Sequence, residues 1–61
     1  MDKRYVTITW FNLEEEVAEV LGATLRDSGA EELWVRVVGF KSTCTISIED
    51  EDVFSIEEVE L

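Results

Sequence analysis

The stretch NLEEEVAEVLGATLRDSG, residues 12–29, decides how the rest of the chain is read. Asn12 is a favoured helix N-cap, and Glu15 three residues later completes a capping-box pattern. The consecutive Glu14, Glu15 and Glu16 complement the positive end of a helix dipole. Leu13, Val17, Val20, Leu21, Thr24 and Leu25 then recur at helical spacing. Gly29, after Ser28, supplies a C-terminal stop. The pattern predicts a helix over about 13–28. Within it, Ala18 and Gly22 form a small-xxx-small pair on the helix flank. A glycine there costs about 1 kcal/mol relative to alanine; close approach of another chain and simple tolerance both account for it.

Working outward, RYVTITWF (residues 4–11) alternates β-branched and aromatic residues as a pleated strand requires. ELWVRVVGF (32–40) holds a second strand over 32–38, Gly39 to Ser42 a turn, and TCTISI (43–48) a third strand. EDED (49–52) is a connection, and VFSIEEVEL (53–61) a fourth strand. The order β-α-β-β-β predicts an α+β fold, one helix packed across a four-stranded mixed sheet in two layers. A right-handed crossover leaves the first two strands parallel, and short connections make the last three an antiparallel meander. No proline, repeat or linker marks a boundary, so residues 1–61 read as a single small domain.

Period-two alternation sorts the strand residues onto two faces. The inner face collects Val6, Ile8, Trp10, Leu33, Val35, Val37, Cys44, Ile46, Ile48, Phe54 and Ile56, covered by Leu13, Val17, Leu21 and Leu25 of the helix. Tyr5, Phe11, Trp34, Arg36, Val38 and Phe40 fall on the outer face, among threonines and serines. An aromatic cluster ringed by hydroxyls resembles an interface core with a polar rim, and a contiguous exposed apolar patch marks an interaction site. Those six residues are therefore the candidate protein interface. The bland alternative is a scatter of single exposed apolar side chains, which is normal on any protein.

A chain of 61 residues is marginally stable unless a disulfide, a metal or oligomerisation supports it. Cys44 is the only cysteine and histidine is absent, which excludes an intramolecular disulfide and a zinc site of the usual ligands. Self-association as a dimer is the expected remedy. Fifteen acidic residues against 5 basic ones give a net charge of −10. That charge opposes direct binding to nucleic acid and to anionic membranes, and favours a basic protein partner. No apolar run approaches the roughly 20 residues of a membrane-spanning helix. A lone thiol fits a reducing compartment, so a cytoplasmic protein is expected.

Glu14, Glu15, Glu16, Glu19, Glu49, Asp50, Glu51 and Asp52 make up the candidate acidic partner-binding surface. In a halophile the same charge would serve only solubility. EDED does not begin a calcium loop, because Val53 and Phe54 stand where a ligand and a glycine are needed. No metal or cofactor is expected, and with no histidine or nucleophile motif the reading is non-enzymatic. In length, and in a strand-helix-strand opening with Trp34 in its second strand, the chain is similar to the dodecins. That resemblance implies a small-ligand-binding oligomer with flavin near Trp34; EDED interrupts the region of their long third strand, and no residue is carried over. The expectation is a protein that occludes a basic, nucleic-acid-binding surface of a host protein, in the manner of phage or mobile-element inhibitors. The alternative is a structural or regulatory homo-oligomer.

Overall fold

The computed structural model describes residues 3–60. Its five strands are β1 (Arg4–Trp10), β2 (Glu15–Leu25), β3 (Glu31–Val37), β4 (Cys44–Ser47) and β5 (Val53–Val59). They form one sheet in the order β4-β3-β2-β1-β5, antiparallel at every pairing. There is no helix among the described residues. The α+β expectation is thus corrected to all-β, and the stretch predicted to be helical supplies the longest, central strand. The strand-helix-strand likeness to the dodecins falls with it. Leu61, at the end of the expected last strand, lies outside the described residues.

Residues 15–25 satisfy period two as well as period 3.6. Glu16, Ala18 and Val20 face one way, pairing with Ile8, Val6 and Arg4 of β1, while Val17 and Glu19 face the other. Val17, Val20 and Thr24 are β-branched and suit a strand. Gly22, costly in a helix, lies opposite Trp34, whose Cε3 is 3.6 Å from where a Cβ would stand. The expected helix cap and stop are hairpin turns. Leu13 donates its N–H to Trp10 O at 2.8 Å and Trp10 donates to Glu14 O at 2.9 Å. Asn12 Oδ1 accepts the Glu14 N–H at 3.0 Å, an Asx turn rather than an N-cap. At the other end of β2, Gly29 donates to Arg26 O at 2.8 Å and Arg26 to Ala30 O at 2.9 Å. Both are three-residue hairpin loops whose last residue is left-handed: φ is 69° at Leu13 and 90° at Gly29.

With no second layer, a sheet can bury one face only by curling onto itself. Two irregularities bend it: β2 bulges between Val20 and Gly22, and the β1–β5 register shifts at Thr9/Trp10. The product is a half-barrel. Val6, Ile8, Ala18, Leu33, Val35, Ile46 and Val53 are buried inside it, with Trp10, Val20, Val37 and Ile56 packed against them. Most of the inner face expected from the alternation is therefore observed. Phe54 is the exception in β5: the shift brings Val53 opposite Trp10 and leaves Phe54 54% exposed. Cys44 and Ile48 are also exposed, as are Leu13 and Leu25, which were expected to cover the core.

The connectivity differs from expectation too. β1 and β3 run in the same direction, but β2 lies between them. β5 pairs with β1 rather than with β4, so the expected three-strand meander stops at β4. No helix among the described residues is long and apolar enough to cross a membrane.

Candidate functional site

The antiparallel register gives the half-barrel two ends. The upper end carries the β1–β2 turn, the β3–β4 loop and the start of β5; the lower end carries Arg4, the β2–β3 turn and the end of β5. Exposed large apolar residues concentrate at the upper end: Phe11, Leu13, Val38, Phe40 and Phe54. Phe11 and Phe54 meet edge to face, ring centroids 5.7 Å apart, and Phe11 donates its N–H to Asp52 O at 3.0 Å. The β1–β2 turn and the start of β5 are thereby locked into one knuckle, with Leu13 71% exposed on the same turn. An edge-to-face pair is worth ~0.5–1.5 kcal/mol beyond its burial, so the knuckle is a held feature of the fold.

The acidic residues divide by partner. Glu49 and Asp50 are taken by Arg26, at 3.1 and 3.0 Å, and Arg26 also holds Glu32 at 2.7 Å. The Arg26 contact, then the Ser28 hydroxyl, holds the Glu49 carboxyl below the usual carboxylate range. For Asp50 the Ser47 N–H is the larger cause and Arg26 the second. Glu19 pairs with Arg36 at 2.8 Å and Lys3 at 3.8 Å, and Glu16 accepts the Trp10 indole N–H at 2.8 Å. Among the described residues no cation pairs with Glu14, Glu15, Glu51 or Asp52. These four flank the Phe11–Phe54 knuckle in sequence, two following the turn and two preceding β5.

The six expected interface residues do not form one patch. Tyr5, Trp34 and Arg36 lie on the outer face, and Val38 extends it by donating to Val17 O at 2.9 Å. Phe11 belongs to the knuckle. Phe40 turns to the inner side, lining a small recess with Glu16, Val37, Thr43 and Cys44. The Cys44 thiol is pushed up in pKa by partial burial and by Glu16 and Asp52, which disfavours the reactive thiolate. At the lower end, Arg4 bridges Glu58 and Glu31 over an apolar cleft of about 350 Å³ floored by Val6, Leu33, Ile48 and Ile56. Its charged rim is already paired with itself. No group of three or more His, Cys, Asp and Glu is placed to hold a metal among the described residues.

The knuckle joins Phe11 with two residues, Leu13 and Phe54, that the periodicity assigned to the core. The sequence signal for Leu13 is the Asn12 turn residue next to it; nothing local marks the bulge that turns Phe54 out. Comparison of the chain with protein families, with curated proteins and with solved structures finds no match.

Proposed function

We propose that this is a non-enzymatic protein-binding module that docks its upper end on a basic surface of another protein. The carrying observation is the coincidence, at that end, of an exposed apolar knuckle with Glu14, Glu15, Glu51 and Asp52, which flank it in sequence and are among the carboxylates that no cation pairs with among the described residues. An apolar centre with a polar rim is the anatomy of a protein interface. Unpaired charge of one sign speeds encounter with a partner of the other and selects it. A net charge of −10 adds long-range attraction to the same class of partner. Occlusion of a host protein's nucleic-acid-binding surface, as a phage or mobile-element inhibitor in the cytoplasm would do it, is the specific form of this reading.

The test compares affinity capture from a source-cell lysate by wild type, by Phe11→Ser/Phe54→Ser, by a Glu14, Glu15, Glu51→Gln triple variant and by Trp34→Ala. The expected result is a basic protein retained by wild type and Trp34→Ala, lost with either upper-end variant and released by salt. Binding that ignores the upper-end variants removes the proposal.

A further inference from the structure

The two free edges of the sheet are chemically unlike. β5 carries Glu57 and Glu58, the inward or alternating charges that guard an edge against pairing. β4 carries none, and residues 33–48 contain no Asp or Glu although the chain has 15. Arg36 and Lys41 are the only charges in that stretch. An unguarded, neutral edge strand in so acidic a protein is a place where two like-charged molecules can approach.

The hydrogen bonds fix which groups of this edge are available. Ser47 accepts from Asp50 N at 3.0 Å and donates its N–H to Asp50 Oδ2 at 2.9 Å. Both backbone groups of Ser47 therefore point away from β3, and the turn closes the edge there. In an antiparallel strand every second residue repeats that direction, so Thr45 also turns its N–H and C=O outward, and Thr43, the residue just before β4, falls at the next such position. Among the described residues neither makes a backbone bond outside the ladder. Both are exposed.

We infer that this edge pairs with β4 of a second copy of the chain, about a two-fold axis through Cys44. In that register Thr43 faces Thr45 of the other copy, and the reverse, so each pair exchanges two backbone hydrogen bonds. Ser47, already satisfied, is left out. Registers centred on Thr43 or Thr45 leave one free residue opposite Lys41 or the occupied Ser47. Side chains on both faces extend the contact: Trp34, 51% exposed, lies opposite Thr45 on the outer face, and Phe40, 63% exposed, lines the recess beside Thr43 and Cys44. A basic partner gains nothing from an edge whose only charges are cationic. The glutamates of β5 would face each other if that edge paired instead. The pairing joins two half-barrels into one ten-stranded sheet and is independent of the docking proposed for the upper end.

The register places the two Cys44 residues as a non-hydrogen-bonded pair, Cα atoms ~4.5 Å apart, within the range a disulfide spans. The test is sedimentation equilibrium of the full chain under reducing conditions, with diamide cross-linking as a second readout. Wild type is expected at twice the monomer mass, with a covalent dimer through Cys44 on oxidation. Thr45→Pro deletes an outward N–H at an edge position, where a strand tolerates proline, and is expected to be monomeric, with unchanged circular dichroism and no cross-link. Thr45→Glu, which keeps the N–H and puts a charge beside the axis on each copy, guards against a folding failure of the proline variant and is also expected to be monomeric. Thr45→Val, which keeps the backbone, is expected to remain dimeric. A monomeric wild type, a dimer that survives both Thr45→Pro and Thr45→Glu, or a dimer that does not cross-link overturns the proposal. Phe11→Ser/Phe54→Ser leaves this dimer intact, so failure here and failure of the upper-end reading are told apart.

Discussion

Leu13 holds a backbone conformation that L side chains avoid, with φ at 69° and 71% of its surface exposed. The molecule contains its own control: the β2–β3 turn has the same hydrogen-bond pattern, with Gly29 at the equivalent place. A left-handed non-glycine residue costs about 1–2 kcal/mol, and Leu13 recovers little of that by burial. Leu13→Gly is therefore expected to raise the unfolding free energy by about 1 kcal/mol in urea titration, offset in part by glycine's greater freedom when unfolded. If Leu13 belongs to the docking knuckle, the same variant weakens partner capture while strengthening the fold. A variant less stable than wild type would show that Leu13 contributes packing that its exposure does not reveal. At this scale the sequence was half legible. Asn12 and Ser28-Gly29 mark boundaries correctly, since residues that favour turns also favour helix ends. Whether a helix or a strand lies between those boundaries depends on β1 and β3 being there to pair.

Among the elements, β1, β3, β4 and β5 were readable because Val6/Ile8, Leu33/Val35, Cys44/Ile46 and Phe54/Ile56 alternate at period two, although the register shift puts Val53 inside in place of Phe54. β2 was not. Its glutamates and alanines are good helix formers, and its apolar residues fit both periods; the tie is broken by cross-strand pairing, which no local window contains. The eight expected acids were likewise one class in sequence but not in space: within the β4–β5 loop Glu49 and Asp50 sit on Arg26, while Asp52 lies beside the β1–β2 turn. Arg26 makes the difference, tying the β2–β3 turn to Glu49 and Asp50 of the β4–β5 loop. Both carboxyls are held below their usual range in the fold. Their contribution to stability is thus complete above the ordinary carboxylate pKa, ~4, and disappears as pH falls through the lowered folded values. Arg26→Met is expected to be less stable than wild type at neutral pH and to converge with it in strong acid. Circular-dichroism melts of the two proteins across that range measure the difference, which also cancels the relief of charge repulsion common to both. Melting curves that stay parallel down to acid pH would mean that the cluster adds nothing.

For the molecule as a whole, one curled sheet must provide both walls of its core. Ile8 sits at the middle of that arrangement, fully buried and paired with Glu16 on one side and Ile56 on the other. Ile8→Ala is expected to cost about 2–5 kcal/mol. A chain of 61 residues has only roughly 3–9 kcal/mol in total, so a large unfolded fraction should appear in urea titration even before denaturant is added. A loss below 1 kcal/mol would mean that the half-barrel collapses around the gap. The pairing of β1 with β5 has a further consequence in time. The hairpins β1–β2, β2–β3 and β3–β4 close over short loops, but β1 gains its second neighbour only when a strand some fifty residues later arrives. Long-range strand pairing is the slow step in sheet proteins. During synthesis, β1 therefore leaves the ribosome with one flank bare, its Val6 and Ile8 in water, and stays that way until Val53–Val59 emerges. A chaperone or the dimer partner would meet that unfinished strand first.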